Sequence, residues 1–110
     1  MGSSKKDLLN LPASVIDVFG YALYLAQSGS RHPDTKVLQG FGDGSVIEVI
    51  KSASAGTYRA VYTVRFRENV FVLHVFQKKS KSGIATPKAD IRIIRERLRM
   101  AEGLGRSARP

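Results

Sequence analysis

The chain has 110 residues, 43% of them hydrophobic and 25% charged, which fits one globular domain and excludes a second domain of ordinary size or a disordered chain. Eighteen Lys and Arg against nine Asp and Glu give a formal net charge of +9, a balance that favours nucleic acid, an acidic protein or an anionic membrane as partner. The absence of cysteine excludes disulfide staples and thiolate metal sites, and two histidines separated by a whole hairpin argue against a zinc site.

After a polar opening, Leu11-Pro12 begins a segment in which Val15, Phe19, Ala22 and Ala26 recur at helical spacing. Pro12 suits a first turn and Gly29 a stop, so an amphipathic helix is expected between them. Gly20 sits in its middle, where it weakens the helix by about 1 kcal/mol relative to Ala; either a neighbour approaches closely there or the position simply tolerates glycine. Residues 28–33 form a turn-rich break carrying Arg31 and His32, with His32 expected in solvent. Lys36 to Phe41 then looks like a short strand ended by Gly42-Asp43-Gly44.

Residues 45–51, 57–66 and 70–79 are rich in Val, Ile, Tyr, Phe and Thr and are joined by loops short enough for hairpins. They predict an antiparallel meander. Thr86-Pro87 opens a last helix with Ile91, Ile94, Leu98 and Ala101 on a core face and Lys88, Arg92, Arg95 and Arg99 on a basic one. That stripe is either a solvated face or a surface for a polyanion. Residues 103–110 are expected to be a flexible tail of the single domain 1–110.

The order of these elements predicts an α+β sandwich whose helices cover one sheet face and leave the other partly open. A register placing Glu48 opposite Val61 would put Glu48, Ile50, Arg59 and Val61 on the same side. An Arg and a Glu there are either a structural ion pair or a phosphate-holding arginine with an orienting carboxylate. Lys78 and Lys79 at the end of the last strand, with Lys81 in the Ser/Lys/Gly loop beyond, add cations that a phosphodiester would neutralise. Tyr58 and Phe76 are candidates for stacking on an unpaired base, while Tyr62 is expected in the core. His74 lies between Leu73 and Val75 and reads either as a satisfied sheet residue or as a general base.

Taken together, the runs 20–27, 36–40, 46–49, Tyr58-Arg59-Ala60-Val61-Tyr62 and Phe76-Gln77-Lys78-Lys79-Ser80 through Lys88 resemble the phage-derived, HigB-like branch of the RelE/ParE toxin superfamily. The likeness covers nearly the whole chain, from about Ser3 to Glu102. It implies a RelE-like α+β fold and the toxin of a type II toxin-antitoxin pair, neutralised by a cognate antitoxin, often a helix-turn-helix HigA-like protein. In ribosome-dependent members mRNA is cut in the A site by 2′-hydroxyl attack, without metal or cofactor. By position, Arg59 resembles the phosphate-stabilising arginine, and Lys79, with Lys78 beside it, the cation that helps the leaving group. The lysines that the RelE archetype carries in the strand at 46–51 are represented here only by Lys51, with Glu48 at the motif position. The general base is therefore open among Glu48, Lys51 and His74.

The same fold serves gyrase-directed toxins, which is the competing activity; a catalytically inactive binding module is a third. The expected RNA surface comprises Tyr58, Phe76, Lys81, Lys88, Arg92, Arg95 and Arg99. Without a stretch long enough to span a bilayer or an N-terminal apolar core of the secretory kind, a cytoplasmic protein with no membrane partner and no small-molecule substrate is expected.

Overall fold

In the computed structural model, residues 4–42, 44–53, 56–66, 69–78 and 86–107 are described. Two N-terminal helices, α1 (Ser4–Leu9) and α2 (Ala13–Gln27), precede four strands, β1 (Thr35–Val37), β2 (Val46–Ala53), β3 (Gly56–Phe66) and β4 (Asn69–Lys78), and α3 (Lys88–Ser107) follows. The strands form one antiparallel sheet in the order β1-β2-β3-β4. This is an α+β architecture consistent with the RelE-like fold.

The apolar spacing of α2 delivers what it predicts, for Val15, Phe19, Ala22 and Ala26 are its buried residues. The helix starts after Pro12 and ends in a Schellman arrangement: Gly29 takes φ 83°, Gly29 N–H donates to the Ala26 carbonyl and Ser30 N–H to that of Leu25. Gly20 is exposed, and a Cβ built there would meet nothing within 4 Å, so no neighbour needs the space. In α3, Ile94, Leu98 and Ala101 are buried and Ile91 half-buried.

The expected open sheet face is not found, because helices pack on both faces. Ile47, Val49, Ala60, Tyr62 and Val75 join α2 in one cluster, while Val46, Val61 and Leu73 join α3 in another. The run Val46 to Val49 is accordingly buried without interruption, as strands covered on both faces are. Nor does α3 stop at Gly103. Arg65 on β3 bonds Glu102 and also donates to Ser45 Oγ and the Phe41 carbonyl, fastening the helix at the point where the sequence suggests fraying.

One register irregularity has consequences for the site. Val61 pairs with His74 but Tyr62 with Val72, so Leu73 is an extra residue in β4. The bulge turns Leu73 toward the α3 cluster on the same side as His74, and its displaced carbonyl accepts from Arg97 Nη1 at 2.9 Å.

Candidate functional site

The register of β2 and β3 puts Glu48 opposite Val61 and Arg59 opposite Ile50, and the face they share is the one under α3. Arg59 Nη1 donates to Glu48 Oε1 at 2.9 Å, and Lys36 Nζ, whose residue pairs with Glu48 across β1 and β2, lies 3.6 Å from the same oxygen. The other carboxylate oxygen accepts from the Thr86 hydroxyl at 3.1 Å, so Thr86 ties the start of α3 to the sheet. Glu48 has no exposed surface and Arg59 only 5%. An anion-binding arrangement is present, but the protein's own carboxylate occupies it.

Outside this pair a cleft of about 580 Å³ opens between β1 and the start of α3, lined by Arg31, Lys36, Thr86 and Ile91 among others. Lys36 and Thr86 belong to both cleft and pair, so an anion entering the cleft competes with Glu48 for them.

His74 sits on the same sheet face, next to the bulge. Its Nε2 is 2.7 Å from Asp90 Oδ1 and its Nδ1 is 3.4 Å from Arg97 Nη1. A carboxylate accepts and a guanidinium donates, so these neighbours select the tautomer with hydrogen on Nε2. Phe76 stacks on the ring at 4.8 Å between centroids with planes 16° apart. Both nitrogens and one face of His74 are thus engaged within the protein, the geometry of a held sheet residue.

The remaining candidates separate by face. Tyr58 is buried in the α2-side core, so its ring is packing rather than a base platform, and Lys51, opposite Tyr58, lies on that side also. Period-two alternation therefore puts both across the sheet from Arg59. Tyr62 is fully buried, as expected. Lys78 pairs with Thr57 at the end of β4, two positions beyond Phe76, while Lys79 and Lys81 lie outside the described residues. Lys88, Arg92, Arg95 and Arg99 are all exposed along α3; the Arg95 guanidinium also covers the Phe41 ring at 4.8 Å and donates to the Gly40 carbonyl. His32 departs from expectation: its side chain is mostly covered, with the Tyr21 ring edge-on at 5.6 Å and Nδ1 accepting from Asp34 N–H.

Lys36, Thr86, Asp90 and Arg97 join the site without having been legible as members. Lys36 and Thr86 are recruited by cross-strand and long-range partners. Asp90 and Arg97 are two helical turns apart, a spacing that puts both on the side of α3 facing the sheet. Among the described residues no group of His, Asp and Glu comes together as a metal site, and no helix is long and apolar enough to cross a membrane.

Fold and site together define a small α+β protein with a cationic outer helix and a closed Arg-Glu pair beneath its start. The profile of the family described as phage-derived protein Gp49-like (DUF891) matches residues 6–99, and the chain belongs to that family. No curated protein and no solved structure matches it.

Proposed function

We propose that this protein is the toxin of a type II toxin-antitoxin pair and cuts mRNA on the ribosome as an endoribonuclease. The observation that carries this reading is the cleft at β1 and the start of α3, which Arg31, Lys36 and Thr86 line and where Lys36 and Thr86 also contact Glu48; α3 carries a row of exposed cations besides. Membership of a phage-derived family and the excess of positive charge support it.

In this reading the α3 stripe tracks the RNA backbone, and Arg31 and Lys36 receive the scissile phosphate. Of the three candidate bases, Lys51 faces away and His74 is engaged on both nitrogens; Glu48 is buried with both oxygens engaged, but two of its partners, Lys36 and Thr86, line the cleft, so an anion that draws them off frees it to act. The 2′-oxygen attacks phosphorus and gives its proton to Glu48, and the P–O5′ bond breaks as the leaving oxygen takes a proton from a cleft ammonium. The products are a 2′,3′-cyclic phosphate and a 5′-hydroxyl. Arg59 reaches the phosphate only as Glu48 yields it, which couples charge development to release of the internal pair.

The closure of Arg59 and Glu48 favours a second reading, a binding module without catalysis. Induction of the protein in growing cells, with RNA 5′ ends and DNA breaks mapped, separates the two. New 5′-hydroxyl ends within translated codons are expected. Growth arrest with gyrase-dependent double-strand breaks would assign the activity to gyrase instead, and intact mRNA with normal growth would leave the binding module.

A further inference from the structure

Where α3 passes the turn at Gly40 and Phe41, a hollow of about 300 Å³ opens, with Arg65, Arg95, Arg99 and Glu102 among the residues that line it. Its floor is fixed. Phe41 is buried in the α3-side core, Arg65 Nη2 donates to the Phe41 carbonyl at 3.2 Å and Arg95 Nη2 to that of Gly40 at 3.4 Å, so side chains from β3 and α3 grip two successive peptide groups. The Arg95 guanidinium lies over the Phe41 ring, 4.8 Å from its centroid, yet the residue stays exposed. A guanidinium backed by an aromatic ring and tied at one nitrogen has lost much of its rotamer freedom before any ligand arrives, and its plane is a surface on which an unpaired base stacks.

Two features of the hollow select a base there over a phosphate. Arg65 is already bonded to Glu102, Ser45 Oγ and the Phe41 carbonyl, and the Glu102 carboxylate lines the same space, so a phosphate entering it would meet a negative charge while a neutral ring would not. The hollow also continues the cleft at β1: Gln39 lines the one and Gly40 the other, and Arg95 follows the cleft's Ile91 by four residues, about 6 Å of helix. RNA with a phosphate at Lys36 therefore has a flanking nucleotide within reach of Arg95. We propose that Arg95, backed by Phe41, is a stacking platform for the base beside the scissile phosphate, while Arg99, one turn further along α3 and lining the same hollow, takes the phosphate next to it. This rests on the reading of the protein as an RNA-cutting toxin and adds to it a subsite that grips a base by its face, whatever its hydrogen-bonding edge.

The test is titration of the intact ¹⁵N-labelled protein with two pentamers of equal charge: 2′-O-methyl pentaadenylate, which cannot be cut for want of a free 2′-hydroxyl, and the same backbone without bases. The native protein should bind the adenylate about tenfold more tightly, with the Arg95 Nε–H and Phe41 amide resonances shifting for it and not for the base-free strand. Arg95→Lys keeps the charge and removes the plane, so it should reduce that preference to less than about threefold while leaving the base-free pentamer bound as before. Equal weakening of both pentamers in the Lys variant would make Arg95 a phosphate ligand, an unchanged preference would put the base elsewhere, and no saturable binding by about 5 mM would leave the hollow to a protein side chain; each overturns the proposal. The map of RNA 5′ ends in cells decides the toxin reading separately, since new 5′-hydroxyl ends together with any of those results would retain the toxin and remove the platform.

Discussion

Replacing Arg59 by methionine tests the closed state of the pair directly. The change removes the Nη1 donor 2.9 Å from Glu48 and leaves a carboxylate with no exposed surface beneath α3. Removing one member of a buried ion pair costs about 3–5 kcal/mol. Two compensations remain, the Thr86 hydroxyl at 3.1 Å and the Lys36 ammonium at 3.6 Å, the latter on a side chain 45% exposed and so partly screened. They place the expected loss near the lower end, about 3 kcal/mol, which for a chain of this length lowers Tm by roughly 10–20 °C. Glu48→Leu with Arg59→Met in the same molecule should return to within about 1 kcal/mol of the native protein, since no charge is then left buried alone. Urea unfolding followed by circular dichroism on all four members of the cycle measures both the loss and the coupling. If Arg59→Met costs less than about 1 kcal/mol, water reaches Glu48 and the pair is not closed. The magnitude also governs any activity assay, because cleavage by an Arg59 variant has to be measured at a temperature where it is still folded.

Gly20→Ala should stabilise the protein by about 0.5–1 kcal/mol in the same urea experiment, as the position is helical, exposed and has open space around it. The triple change of Lys88, Arg92 and Arg99 to Gln should reduce the salt dependence of single-stranded RNA binding by roughly 2 log units per log unit of salt, about 0.7 for each phosphate no longer neutralised; an unchanged slope would move the RNA surface off α3. Arg97→Met strips the bulged Leu73 carbonyl of its donor and should cost about 1–3 kcal/mol, read as a lowered urea midpoint. Because the Tyr62 phenol is raised above its ordinary value of 10.0, its contribution to stability is intact below that pH and is lost as pH climbs through the folded value. Tyr62→Phe should flatten this alkaline decline in a Tm-against-pH series.

Much of the fold is visible in side-chain spacing. The buried residues of α2 and α3 are those at helical intervals, and Gly29 ends α2 because a left-handed residue is needed there. The pairing of Glu48 with Val61 follows from the loop joining β2 and β3. The covered second face was also encoded, in the nearly unbroken burial of Val46 to Val49 and Tyr58 to Thr63, but a short apolar run suits one covered face or two until the helices are placed. The β4 bulge left no mark that alternation would reveal, and with it went the partners of His74. Tyr58 and Arg59 are neighbours in one strand, so alternation alone sends them to opposite faces; which of the two faces is the α2-side core is decided only by the packing of the helices.

Local spacing and composition were enough to set the α+β class, the element order, the core faces of both long helices and the surplus of positive charge, since each of these is written within a few turns or strands of the chain. The closure of Arg59 onto Glu48, the sharing of that carboxylate by Thr86 and Lys36, and the burial of the Tyr62 hydroxyl without a partner among the described residues came only from packing. Those are properties of distance and solvent exclusion between residues remote in the chain, and no local pattern carries them.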